Sequence, residues 1–258
     1  MRLEVLVSCM HQKDASIIKR SNIQSDVLVI NQCDENKEEA FNFVNKRGES
    51  CRAKIIYTTE RGLSRSRNMA IRNATGDICL ICDDDEVMEE DYVEKITQTF
   101  KDYPRYDIIA FMLNYPEKKF SSKTYSVGYF QAAKIGSWQI AFKRDKLQVT
   151  FCEKMGSGTG NGAGEENKFL VDCLKSGNKM RYVPTLIASL VPISSQWFHG
   201  YNQKYWRDRG WAAKMIYGNF WGFCYMWYCI FCRNWSVDKT NLWVQTMKWM
   251  HIGFFEHR

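Results

Sequence analysis

The chain has no internal repeat, no low-complexity linker, and only four histidines in 258 residues. It opens Met1-Arg2-Leu3-Glu4-Val5, with no long apolar run, so a secretory leader is not expected. Ten cysteines would otherwise suggest a disulfide framework. Cys79, Cys82, Cys224, Cys229 and Cys232 lie in apolar stretches, and the expectation is reduced core thiols in a cytosolic protein. No second Cys or His pair completes the zinc-like spacing of Cys79-x-x-Cys82, and positions three apart on a strand face opposite sides. There is no Walker sequence. The acidic run at Asp83 lacks the glycine and later oxygen spacing of an EF-hand. Basic residues are scattered and no nucleic-acid motif is present, so nucleic acid is not an expected partner.

What remains is an ordinary globular composition, 45% apolar and 25% charged. The length suits one large domain, or a domain with an appendage. The net charge of +7 favours anionic partners without choosing among them.

The first half alternates short runs rich in Ile, Val and Leu with helical patterns. Strands are expected at 3–8, 26–31, 54–58, 78–82 and 108–113. Helices are expected at 64–74, ending at Gly76, and at 89–103, closed by Pro104. That order predicts an α/β fold with a mainly parallel sheet flanked by helices, and ligands at the carboxyl ends of its strands. A loop with five glycines between Gly156 and Gly164 precedes an expected helix at 165–176 and a strand near 182–190. Its loose match to a dinucleotide fingerprint at Gly158, Gly160 and Ala163 comes late and lacks the following acid; a loop that orders over substrate fits better.

Residues 1–205 read as a catalytic domain and 206–258 as an aromatic helical tail. Eighteen residues without charge, 215–232, admit three readings: an in-plane membrane contact, a buried core or oligomer interface, or a membrane span.

Asp83-Asp84-Asp85-Glu86 directly follows the apolar run ICLIC. On an extended chain Asp83 and Asp85 would share a face, roughly 6.5–7 Å apart at Cα, with Asp84 opposite. Carboxylates about 5 Å apart repel by about 3 kcal/mol at an effective dielectric of 20, and a divalent cation reverses that. Hard oxygen ligands suit Mn²⁺ or Mg²⁺.

The block Arg61-Gly62-Leu63-Ser64-Arg65-Ser66-Arg67-Asn68-Met69-Ala70-Ile71, then Ala74-x-Gly76-Asp77, an apolar strand and Asp83-x-Asp85 resembles the core signature of family 2 glycosyltransferases. The resemblance implies an inverting enzyme of GT-A (Rossmann-like) fold, with a nucleotide-sugar donor and a hydroxyl acceptor on a glycan or lipid-linked molecule. It assigns Asp83 and Asp85 to the metal, Asp85 the more direct ligand, and places Arg67 and Asn68 near the nucleotide, with Arg61 and Asp84 also toward the donor. Arg67 has a structural alternative, bracing the acidic loop by an ion pair. The family carries an acidic pair at a helix start in its second half. Here this is Glu165-Glu166, with Glu166 the expected base and Glu165 the fallback; helix capping is the alternative. His199 matches the position of a third metal ligand in some members, against an ordinary structural role.

After the first two strands the sequence departs from the family pattern, reading Ser8-Cys9-Met10-His11-Gln12 and Asn31-Gln32-Cys33-Asp34. Asn31 and Gln32 offer hydrogen bonds to a base, and Asp34 to a ribose. Trp138 or the tail offers stacking for an acceptor, or core packing. Function in surface-polysaccharide or cell-envelope glycan synthesis follows as an expectation, in the cytoplasm at the inner face of the plasma membrane, with oligomerisation open. The rival readings are a nucleotidyltransferase and a non-catalytic nucleotide- or membrane-binding module.

Overall fold

Alternation along three short runs decides how the sheet is covered. Val5 and Val7, Val27 and Val29, and Leu80 and Cys82 enter one hydrophobic cluster; Leu6, Leu28, Ile30, Cys79 and Ile81 enter another on the opposite face. Each fully buried aliphatic side chain of this kind contributes about 1.5–3 kcal/mol. Cys79 and Cys82 fall on different faces, as the strand period requires.

The computed structural model describes residues 1–116, 118–162, 164–191, 200–232 and 242–257. Its strands are β1 Leu3–Met10, β2 Asp26–Gln32, β3 Lys37–Val44, β4 Ser50–Thr58, β5 Ile78–Asp83, β6 Glu86–Met88, β7 Ile108–Asn114, β8 Tyr125–Ser126, β9 Ile140–Lys143 and β10 Met180–Leu190. The helices are α1 Ser16–Arg20, α2 Leu63–Asn73, α3 Tyr92–Asp102, α4 Tyr129–Ala132, α5 Glu165–Lys175, α6 Gln203–Cys232 and α7 Leu242–Phe255.

The sheet order is β3-β4-β2-β1-β5-β9-β7-β10-β6, with β8 beside β10. Strands β4, β2, β1 and β5 run parallel, as do β7 and β10, while β9 is antiparallel between β5 and β7. Helices α1 and α3 cover one face through Ile17, Ile96 and Phe100. The other is covered by α2, α5 and the start of α6 through Ala70, Phe169, Leu170, Trp211 and Ile216.

The five expected strands and the helices at α2, α3 and α5 are present, with shifted ends. Strand β3 was not expected. It is an antiparallel edge strand with no buried residue; only Phe43 packs against the core, half-buried, so its sequence, Lys37-Glu38-Glu39-Ala40-Phe41-Asn42-Phe43-Val44, shows no sustained apolar alternation. Its charges, paired as Lys37–Glu39 and Lys54–Glu38, protect that edge from further strand addition.

The run 215–232 is not one continuous helix. Gly218 has φ +77° and ψ −172°, breaking α6 into arms 203–217 and 219–232. The second arm doubles back: a Cβ on Gly222 would lie 2.5 Å from the Ala213 carbonyl oxygen. Among the described residues no helix is long and apolar enough to cross a membrane, which removes the spanning reading. Trp206, Ala213, Met226, Met250 and Phe254 form a small core between the two arms and α7.

Helix α7 crosses the first arm backbone to backbone. A Cβ on Gly210 would sit 2.0 Å from the Met250 carbonyl oxygen, and one on Gly253 1.9 Å from that of Arg207. Gly210→Ala or Gly253→Ala should therefore separate the helices and cost about 1–3 kcal/mol. The expected readout is a lower unfolding temperature by circular dichroism and faster proteolytic release of α7; unchanged melting in both variants would contradict this packing.

Candidate active site

The site is built around one buried guanidinium. The start of α2 is pinned by three bonds: Gly62 N–H to Gln32 Oε1 at 2.7 Å, Leu63 N–H to the Ser157 carbonyl at 3.0 Å, and Ser64 Oγ to the Met155 carbonyl at 2.6 Å. Gly62 has φ +119°, a conformation that favours glycine. One turn on, Ser66 Oγ donates to Ser8 Oγ on β1 at 3.0 Å, and Arg67 projects to the end of β5. Its Nη2 donates to Asp83 Oδ1 and Oδ2 at 2.9 and 3.0 Å and to Ser137 Oγ at 2.8 Å; its Nη1 donates to Glu165 Oε1 at 3.1 Å. Arg67 is 2% exposed. Burial opposes its charge, but Asp83 and Glu165 more than offset this and hold it protonated.

The acidic run is not extended through Asp85. Strand β5 ends at Asp83, Asp84 and Asp85 form a turn, and Glu86 opens β6. The two-residue alternation that put Asp83 and Asp85 on one face does not apply, because the chain reverses to pair β6 with β10. Asp83 N–H donates to Glu86 Oε1 at 2.7 Å, and Val191 N–H to the Asp85 carbonyl at 2.8 Å. Asp83 is committed to Arg67. Asp84 accepts a long bond from Gln12 Nε2 at 3.4 Å, and Gln12 Oε1 in turn accepts from Arg20 at 2.7 Å. Asp85 has no ion pair among the described residues; burial first, and then the charge of Asp83, pushes its carboxyl up to about 6. The same two causes raise Asp84. Buried Glu86 is raised well above the carboxylate range by burial and Asp83, and its Oε2 has no partner.

Helix α5 begins after Gly164 with Glu165 and Glu166 in its first turn. Glu165 is held by Arg67. Glu166 has no ion pair among the described residues; burial and then the charge of Glu165 raise its carboxyl, with Arg67 and Arg209 only partly opposing. Arg209 comes from the first arm of α6, so the tail reaches the acidic pair. Two carboxylates adjacent in sequence thus meet different electrostatic environments.

Several other expected donor contacts occupy bracing positions. Asn31 is 1% exposed, and its amide clamps the Gln12 backbone, donating to the Gln12 carbonyl at 2.8 Å and accepting from its N–H at 3.0 Å. Asn68 forms the same two-way clamp on Phe151, at 2.9 and 2.7 Å. Gln32 holds Gly62. These side chains shape the loops at the strand ends through backbone contacts, and Asn68 Nδ2 also donates to Glu153 Oε1 at 3.2 Å. Asp34 and Arg61 instead form an exposed pair at 2.7 Å on the rim. His199 and Ala163 lie outside the described residues.

Sequence reasoning missed Gln12 and Ser137, which carry no motif and acquire roles only through the turn and the short helical segment that present them. Trp138 is half-buried against the core and packs edge-on to Tyr115 and Phe120, with Lys118 Nζ 4.4 Å from its ring centroid.

The residues fit a hard divalent cation loosely. Asp85 and Asp84 are oxygen donors whose carboxyls are raised by burial first and then by the charge of Asp83, which a bound cation would offset. No group of three or more His, Cys, Asp or Glu among the described residues is arranged as a complete metal cage, so further ligands would come from substrate oxygens.

Two substitutions test this electrostatic design. Arg67→Met leaves half-buried Asp83 and buried Glu165 without their cation and should destabilise the fold by about 3–5 kcal/mol, partly restored by adding Glu165→Gln. The raised Glu166 carboxyl favours folding while protonated, and that contribution is lost as pH rises from the ordinary carboxyl range through its folded value. Glu166→Gln should match wild type near about pH 4 and melt higher near about pH 9, as measured by thermal unfolding across pH.

The fold and site can now be set beside known proteins. No curated protein sequence matches this chain. Among solved structures, S. aureus TarS 1-349 superposes with a TM-score of 0.62 at 12% identity, over 98% of this chain and 81% of that one. The same protein in complex with UDP-GlcNAc gives 0.64 at 11% identity, over 98% and 82%. The mannosyltransferase PcManGT from Pyrobaculum calidifontis, in complex with GDP-Man and Mn2+, gives 0.55 at 14% identity, over 98% and 73%. At such identities the likeness is one of fold, the mixed α/β GT-A arrangement. The model of glycosyl transferase family 2 matches residues 6–164, from β1 to the glycine preceding α5. That match covers more than half of the chain and includes Arg67 and the acidic turn: the chain belongs to glycosyl transferase family 2.

Proposed function

We propose that the protein is a metal-dependent, inverting glycosyltransferase that moves a sugar from a nucleotide-sugar to a hydroxyl of a glycan or lipid-linked acceptor. The observation that carries this reading is the separation of roles around Arg67. One carboxylate of each acidic group is spent on the guanidinium, leaving Asp85 on one side and Glu166 on the other. Support also comes from the fold's likeness to proteins crystallised with UDP-GlcNAc and with GDP-Man and Mn2+.

In this reading the donor diphosphate lies over the acidic turn at the carboxyl ends of β1, β2 and β5. Asp85, with Asp84 beside it and Asp83 anchoring the turn, would hold Mn²⁺ or Mg²⁺. Such a cation supplies charge neutralisation to the departing diphosphate. Arg67 fixes the turn and α5 in mutual register. Glu166 Oε takes the proton of the acceptor hydroxyl. As that proton leaves, the hydroxyl oxygen bonds to the anomeric carbon, and the bond from that carbon to the diphosphate oxygen breaks, its electron pair leaving with the nucleoside diphosphate. Attack opposite the leaving group inverts the anomeric centre. A raised carboxyl makes Glu166 a stronger base once ionised, and its place at a helix start holds it in position. The biological setting that suits these acceptors is synthesis of surface polysaccharide or cell-envelope glycan at the cytoplasmic face of the plasma membrane.

Asp85→Ala should abolish transfer and metal-dependent donor binding while the fold survives, as read by calorimetry with nucleoside diphosphates in the presence and absence of Mn²⁺. Full activity in this variant, or in excess chelator, would overturn the metal assignment. Glu166→Gln should lower kcat by about 10²–10⁴-fold with donor affinity little changed, and wild-type kcat should fall as pH drops below the raised carboxyl value. Release of nucleoside diphosphate, rather than inorganic diphosphate, separates glycosyl transfer from nucleotidyl transfer.

A further inference from the structure

The folded-back tail leaves its largest side chains in solvent. At the tip of the α6 hairpin Phe220 and Trp221 are 70% and 62% exposed, and Tyr228 and Phe231 follow along the second arm at 51% and 60%. The tail's own core is already filled by Trp206, Met226, Met250 and Phe254, so these outward rings are not packing it. A distant segment joins them. Phe130 of α4, 62% exposed, stacks on Tyr217 with ring centroids 6.4 Å apart, and the Tyr217 hydroxyl donates to the Tyr129 carbonyl at 3.2 Å. Elements nearly ninety residues apart thus converge on one aromatic ridge.

The segment that bears Phe130 is basic: from Lys118 to Lys134 the chain carries four lysines and no acidic residue, and from Gly210 to Cys232 the hairpin carries Lys214 and no acidic residue. Nearby Asp208 and Glu256 are paired with Lys204 and Arg207. Lys119, Lys123 and Lys134, on the segment that bears Phe130, are exposed. Lys175 Nζ donates to the Ile216 carbonyl, placing a further ammonium beside the end of the first arm.

We infer that the tip of the α6 hairpin, together with α4, docks on the surface of an anionic lipid bilayer. Phe, Trp and Tyr favour the boundary between headgroups and acyl chains, and flanking lysines meet anionic headgroups. The hairpin enters this boundary without spanning it, in keeping with the break at Gly218. A second copy of the chain is the less suitable occupant. A two-fold contact sets a patch against itself, and would bring exposed Lys119, Lys123 and Lys134 of the Phe130 segment toward their own copies. The inference goes beyond glycosyl transfer and does not rest on it.

The test is co-sedimentation of the full chain with vesicles of phosphatidylcholine alone or mixed with phosphatidylglycerol. Wild type should bind the anionic vesicles, more weakly as salt is raised, and brominated phosphatidylglycerol should quench its tryptophan fluorescence. Phe220→Ser with Trp221→Ser should weaken binding by about tenfold or more, with melting temperature and donor turnover unchanged. Lys123→Gln with Lys134→Gln should reduce the preference for anionic over neutral vesicles. The inference is overturned if wild type neither sediments with vesicles nor is quenched, or if the Phe220 and Trp221 variant binds as wild type. A wild-type dimer in light scattering that this variant dissociates, without vesicle binding, would assign the ridge to a second copy instead.

Discussion

The structure depends on the bridge made by Arg67. A single cation on α2, removed from water, joins the end of β5, 16 residues on, to the start of α5, 98 residues on. It lies among more negative charge than it can neutralise: Asp83 and Glu165 in contact, with Asp84, Asp85 and Glu166 beyond. The arrangement holds as a brace because the two direct contacts are good, and the remaining negative charge is left over. Burial first, and then neighbouring negative charge, raises the carboxyls of Asp85 and Glu166.

Several buried amide side chains around the site are engaged with backbone. Asn31 and Asn68 each clamp one residue of a neighbouring loop through both amide atoms, and Gln32 holds the first turn of α2. A loop at the end of a strand lacks ladder partners, and a buried amide side chain replaces them in both directions.

The tail is continuous with this construction. Trp211, Ala212 and Ile216 enter the same hydrophobic cluster as Phe169 and Leu170 of α5, and Arg209 contributes charge at Glu166. Only beyond the break at Gly218 does it turn outward, where its exposed aromatic residues begin.

The sequence by itself determined the α/β class, the parallel run of strands and the segments of the site, because buried parallel strands are short apolar runs and because the arginine-asparagine block, the acidic run and the acidic helix start are local in the chain. It was silent on β3, whose exposed edge has no sustained apolar alternation to reveal it. Tertiary structure alone decided which charges meet. That Asp83 rather than Asp85 takes the guanidinium, that Glu165 rather than Glu166 shares it, and that Asn31 and Asn68 face backbone all depend on a turn at Asp84 and on contacts between residues far apart in sequence. An uncharged aromatic run likewise does not say whether it continues straight; the left-handed backbone at Gly218, with the close helix crossings at Gly210 and Gly253, folds it into a hairpin. Charge pairing and chain reversal are properties of distances in space, and a single sequence records those only where they coincide with distances along the chain.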